Sequence, residues 1–172
     1  MVKNKNKNRV FRFNRRIRGL TDYHQRLRLL KSKLTRVVVR RSNNNMLVQL
    51  VDYSANGDKI LTSAKSVDLK KLGFTLHTGN ISAAYLTGML AGKRLLNSGH
   101  NTEVIVDLGL HKIKYGSRVF AAVKGLVDAG VVVKVGEAVF PEESRIMGEH
   151  LSVENAAEVI EKTKKAIEGL KN

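Results

Sequence analysis

Arg40 and Arg41 stand at the mouth of a polar break, Ser42-Asn43-Asn44-Asn45, with Gln49 close behind. Guanidinium groups grip phosphate oxygens through paired N–H donors, and amide side chains offer a donor and an acceptor to ribose and base edges. A second grouping lies upstream in RVFRFNRRIRGL, where Phe11 and Phe13 alternate with Arg9, Arg12, Arg15, Arg16 and Arg18. Aromatic faces for stacking beside cations for phosphate suit single-stranded and irregular RNA. A third comprises Lys112, Lys114, Tyr115, Ser117 and Arg118, around the junction of an apolar run and a helix start, where unbonded backbone amides add a phosphate-binding concavity. Each grouping has a plainer reading. Asn and Ser are ordinary turn residues, the two Phe could tuck the arm onto its own domain, and the third loop would serve a nucleotide or sugar phosphate in a small α/β enzyme with a non-specific RNA-binding tail.

Catalytic chemistry finds little support. His24, His77, His100, His111 and His150 are widely spaced, and neither H-E-x-x-H nor G-x-S-x-G occurs. Gly88 to Arg94 (GMLAGKR) imitates a P-loop, but three residues separate its glycines and Arg94 stands where a magnesium-binding Ser or Thr belongs. Glu142, Glu143 and Glu149 flank the only Pro in a loop, and Glu149-His150 lacks the further ligands of a structural metal site. Without Cys the chain has no disulfide, Cys-ligated metal or thiol nucleophile. No catalytic residue, metal, cofactor or small-molecule substrate is expected.

Charge points the other way. Residues 1–41 hold 15 Lys and Arg against the single acid Asp22, a net of +14, whereas residues 42–172 hold 16 against 14, a net of +2. A cationic N-terminal region on a nearly neutral domain fits an arm that neutralises phosphates and releases counterions. An anionic membrane is the competing partner, but Val10, Phe11, Phe13, Ile17 and Leu20 are too scattered for the apolar face it requires. No apolar run approaches a membrane span, and the basic N-terminus has no apolar signal core, so a cytoplasmic protein is expected.

The elements that must position these groups follow from periodicity. Residues 1–20 form a basic extended arm, its Lys/Asn run at 1–8 disordered when free. Residues 21–35 form a basic amphipathic helix capped by Asp22, with Tyr23, Leu27, Leu30 and Leu34 along one stripe and Arg26, Arg28, Lys31 and Lys33 on the remaining faces. The stripe should dock on protein and the cations face RNA. A core over 36–136 opens with three antiparallel strands, at Val37–Val39, Met46–Val51 and Lys59–Ala64, the last following an Asn56-Gly57 turn. After a linker at 65–79, a helix runs from Asn80 to Gly99, with Ala84, Gly88, Ala91 and Gly92 letting it lie close to the sheet. The strand Val104–Val106, a helix from Ser117 or Arg118 to Gly130 with Val119, Phe120, Val123 and Val127 inward, and the strand Val131–Val135 complete a βαβ-type unit. Residues 137–172 are a loop and a C-terminal helix starting at Ser152, with Val153, Ala156, Ile160, Ile167 and Leu170 on one face. The expected class is α/β: one domain, a three-stranded meander followed by βαβ-type units in a mixed sheet, with a basic extension and a C-terminal helix.

Seven segments together carry a family likeness: TDYHQRLRLLKS (21–32), RVVVRRSNNNMLVQLV (36–51), NGDKILTSAKS (56–66), NISAAYLTGMLAGKRLL (80–96), VIVDLGL (104–110), GSRVFAAVKGLVDAG (116–130) and FPEESRIMGEHL (140–151). The chain resembles the archaeal form of the 5S ribosomal RNA-binding family of the large ribosomal subunit, the eighteenth of that series, and is similar to the first part of its longer eukaryotic counterpart. The resemblance implies an α/β domain with an RNA-penetrating extension. It also implies attachment of 5S rRNA to large-subunit rRNA in the central protuberance, beside neighbouring ribosomal proteins. By position it assigns RNA contact to the basic N-terminal segment, to the Arg40–Asn44 turn with its flanking strand, and to the Lys114–Arg118 loop. Tyr23, Lys33 and Arg36 are expected on RNA as well.

Overall fold

The computed structural model describes residues 12–100, 103–153 and 155–170, so Arg9, Phe11 and the Lys/Asn run lie outside the described residues. Two-residue alternation builds the sheet, because successive strand side chains point to opposite faces. In β1 (Thr35–Arg41) it sinks Val37 and Val39, and in β2 (Met46–Asp52) it sinks Met46, Val48 and Leu50 on the same side. The two strands are antiparallel, with Val37 opposite Leu50 and Val39 opposite Val48. Strand β3 (Lys59–Lys65) continues the meander against β2, with a register shift between Leu50 and Val51. On the far side of β1 the strand β4 (Glu103–Asp107) pairs in parallel, followed by a parallel β5 (Val132–Val133), in the order β3-β2-β1-β4-β5. The anticipated mixed sheet is thus present, though only two residues of the expected Val131–Val135 strand pair.

Two helices cover the valine face and two more pack against them. α3 (Ile81–Asn97) crosses β2 and β3, α4 (Arg118–Asp128) crosses β1 and β5, and α5 (Glu143–Met147) and α6 (Ala156–Glu168) pack on α3. Asn80 starts α3, its Oδ1 accepting the Ala83 N–H at 2.6 Å. Asn80→Ala is expected to cost about 1 kcal/mol, since that amide is then left without a side-chain acceptor. A thermal melt should fall by about 2–4 °C, and an unchanged midpoint would show that the cap contributes nothing.

Two of the small residues of α3 do a different job from the one their spacing suggested. Gly88 and Gly92 face α4 rather than the sheet: a Cβ on Gly88 would lie 1.9 Å from the Ala122 carbonyl oxygen, and one on Gly92 2.6 Å from Ala129 Cβ. Reciprocally, a Cβ on Gly125 of α4 would lie 2.0 Å from the Tyr85 carbonyl oxygen. The two helices therefore touch backbone to backbone, with Tyr85 Oη donating to Asp128 at 2.8 Å beside the crossing. Val127, expected inward, is 37% exposed because Leu126 and Gly125 take the buried positions.

Two further segments depart from the sequence reading. The linker at 65–79 contains a 3-10 helix, Ser66–Leu72, ending at Gly73 in the left-handed conformation. The last helix begins at Ala156 rather than Ser152, because Asn155 adopts a left-handed φ of 67°, which Asn tolerates, and turns the chain. Val153 is consequently exposed, while Thr163 joins Ala156, Ile160 and Ile167 in the buried stripe by donating its hydroxyl to the Val159 carbonyl at 2.7 Å.

Candidate nucleic-acid interface

Opposite the helices, alternation turns Arg36, Val38 and Arg40 of β1 and Leu47, Gln49 and Val51 of β2 to a face without a packed helical layer. The arm bends over this face. A single turn, α1 (Asn14–Ile17), leads to α2 (Tyr23–Lys31), whose cap Asp22 accepts the His24 and Gln25 N–H groups at 2.9 and 3.1 Å. Between α2 and the sheet lies a cleft of about 730 Å³, walled by Tyr23, Gln25, Arg26 and Leu29 on one side and Arg36, Gln49 and Ile60 on the other. No residue of α2 is fully buried, and Leu27 of the expected apolar stripe is 56% exposed. The helix is rotated so that Arg26 and Leu29 look into the cleft, while Tyr23 packs on Phe13 with ring centroids 5.1 Å apart.

A chain of alternating charges crosses the cleft. Arg26 Nη2 donates to both Asp58 oxygens at 2.8 and 2.9 Å, and Arg36 Nη2 lies 2.7 Å from Asp58 Oδ2. Arg36 Nη1 reaches Asp107 Oδ2 at 3.3 Å, and Asp107 Oδ1 accepts Arg40 Nη2 at 3.0 Å and the Gly109 N–H at 2.8 Å. Burial by itself would raise the Asp58 carboxyl, but Arg36 and Arg26 outweigh it and hold Asp58 below the usual carboxylate range. Arg36, expected on RNA, is 1% exposed and closed between two carboxylates. It is a structural cation, since a guanidinium out of water needs fixed counter-charges. Arg40 is similarly engaged: its Nη1 also donates to the Val39 and Asp107 carbonyls at 2.9 and 2.7 Å.

Strands β1 and β4 are parallel, so both finish at the same end of the sheet, and there the first and third groupings converge. Arg118 Nη1 donates to the Asn43 carbonyl at 3.2 Å and to the Gly79 carbonyl at 2.6 Å. Thr78 Oγ1 donates to the Asn44 carbonyl at 2.7 Å, and a Cβ on Gly79 would lie 2.5 Å from the Asn43 oxygen. The Asn45 Oδ1 accepts from the Thr78 and Ser66 hydroxyls at 3.1 and 3.5 Å, although the residue itself is exposed, and the Ser42 hydroxyl turns to the Asn45 carbonyl at 3.2 Å. His111 Nε2 accepts the Arg41 N–H at 3.4 Å, and burial together with the Arg41 and Arg40 charges holds its imidazole below its ordinary value.

What remains free forms a basic rim. Arg41, Ser42, Asn43, Asn44 and Asn45 are exposed, as are Lys112, Lys114 and Tyr115 at the same end of the sheet, with Tyr115 at 74%. Arg12, Phe13, Arg15, Arg16, Arg18, Arg28, Lys31 and Lys33 are exposed along the arm and helix. Gln49 is half-buried in the cleft, and Ser117 caps the start of α4 without a side-chain bond. Sequence reasoning missed Asp58, Asp107, Thr78 and Gly79, whose roles depend on distant partners. It also missed Leu110 and Ile113, exposed apolar residues alternating with the lysines, a pattern that was visible in LGLHKIKY. Among the described residues no cluster of metal-ligating side chains occurs, and no helix is long and apolar enough to cross a membrane.

A protein-family model described as ribosomal large subunit proteins 60S L5 and 50S L18 matches residues 7–103. Similar curated proteins are each named large ribosomal subunit protein uL18. The one from Methanothrix thermoacetophila is 51% identical over 137 residues, 80% of either chain. That from Methanococcoides burtonii is 51% identical over 140 residues, 81% of this chain and 80% of the relative. That from Methanoregula boonei is 42% identical over 161 residues, 92% of both.

Proposed function

The chain belongs to the family of large-subunit ribosomal proteins described as 60S L5 and 50S L18, and from that premise we propose that it binds 5S rRNA and fastens it to large-subunit rRNA in the central protuberance. It is a structural constituent of the large ribosomal subunit, not an enzyme. Neighbouring large-subunit proteins complete its surroundings.

One observation carries the RNA reading: Arg118 ties the Asn43 turn to the start of α4, making two cationic groupings one rim at the end of the sheet. Arg41, the Ser42–Asn44 turn, Lys112, Lys114 and Tyr115 then face one ligand together. With its carbonyls fixed from behind, the turn meets RNA already ordered, which lowers the entropy cost of binding. Arg12, Arg15, Arg16, Arg18, Arg28, Lys31 and Lys33 supply phosphate contacts beside this rim, and Phe13 and Tyr115 supply faces for unstacked bases.

A gel-shift titration against 5S rRNA with transfer RNA as competitor tests this. The expected result is a large preference for 5S rRNA, with affinity falling by roughly 10³ to 10⁵ between 50 and 200 mM salt if six to ten phosphates are contacted. Equal binding of the two RNAs would reduce the protein to a polycation and remove the 5S assignment.

A further inference from the structure

Asp58 is an acid on a surface that meets a polyanion, and by charge alone it weakens RNA binding. Its surroundings give it another task. Along α2 no residue is fully buried and a cleft separates the helix from the sheet, so close packing does not fix the helix in place. Among the described residues, the polar contacts from α2 to the sheet run through Arg26, whose Nη2 takes both Asp58 oxygens. Asp58 in turn stands against buried Arg36, and Arg36 against Asp107, which holds Arg40 and the Gly109 amide at the rim. A continuous line of charge thus joins the basic helix to the loop that carries Lys112, Lys114 and Tyr115.

We propose that Asp58 is a positioning residue for RNA binding, latching α2 over the open face so that Arg28, Lys31 and the arm meet RNA in register with the rim. This rests on the RNA-binding reading above. With the latch released, the helix samples undocked positions, and binding must select the docked fraction. If that fraction drops to about a tenth, the apparent Kd rises about tenfold. The phosphates contacted in the final complex are the same, so the salt slope stays where it was. That combination separates positioning from its rivals: a lost phosphate contact lowers the slope, and simple removal of a repelling charge tightens binding.

The test uses the full chain with D58N, D58E and R26Q, read three ways: the rate of tryptic cleavage after Arg28 and Lys31, affinity for 5S rRNA at several salt concentrations, and the melting temperature. D58N should speed cleavage at these two sites several-fold and raise Kd about tenfold at an unchanged salt slope, and D58E should restore both. R26Q opens the helix end of the latch while leaving Arg36 paired with Asp58, and should reproduce both effects even if D58N proves too unstable to assay. Unchanged protection of Arg28 and Lys31 in R26Q, or D58N binding as tightly as its parent or more so, would overturn the proposal. Proteolysis needs no RNA, so a parent protein without preference for 5S rRNA would sink the RNA reading while the latch itself was still judged by cleavage.

Discussion

Replacing Arg12, Arg15, Arg16 and Arg18 together with Gln is expected to lower affinity for 5S rRNA by roughly 10²- to 10³-fold near physiological salt. All four are exposed, and among the described residues none is paired with a carboxylate, so their charges are available to phosphate. Each phosphate contact contributes nearly one unit to the slope of log K against log salt, so the slope should drop by about 3 to 4. The melting temperature should hold, because these residues lie outside the packed core. Fluorescence titration across a salt series checks it. An intact slope would mean that the arm binds elsewhere than on phosphate and that the rim alone accounts for the charge dependence.

The second large effect concerns stability. Gly88→Ala should cost about 3 kcal/mol, the upper end of ordinary overpacking, because the added methyl meets a helix backbone carbonyl rather than a side chain that can rotate away. The crossing is doubly constrained, since Gly125 makes the matching approach to Tyr85 and any separation of α3 from α4 stretches the Tyr85–Asp128 bond. In a domain of this size the midpoint should fall by about 6–12 °C. Scanning calorimetry on the purified variant decides, with Gly99→Ala as comparison. Gly99 sits at a left-handed φ of 68° with open space around it, so it reports backbone strain without helix collision. A Gly88→Ala midpoint no lower than that of Gly99→Ala would show that the helices yield freely.

The contrast between these residues explains how much was legible in the sequence. Alternation is a local signal, and Val37, Val39, Met46, Val48 and Leu50 announced the meander, as Asn80 and Gly99 announced the ends of α3. The exposed cations were legible for the same reason, since solvated side chains need no partner. Arg36 was not, because its fate depends on Asp58 in the β2–β3 turn and Asp107 at the end of β4, brought together only by the folded sheet. Its strand position correctly turned it away from the valines, but periodicity does not say what roofs the opposite face. Gly88 failed likewise: a strip of small residues predicts a close approach without naming the neighbour. Asn155 moved the start of α6 through a backbone conformation that no apolar pattern encodes.

The two outermost strands bear on how the chain keeps to itself before it joins a particle. β5 offers only two paired residues, and Lys134 just beyond it is 82% exposed and bridged to Glu103 at 3.0 Å. At the other margin β3 begins and ends with exposed lysines, Lys59 and Lys65. Short or charged margins discourage a second copy from adding its own strand. A chain with this much β-branched sequence therefore resists edge-to-edge aggregation through its sheet margins, without needing RNA to shield them.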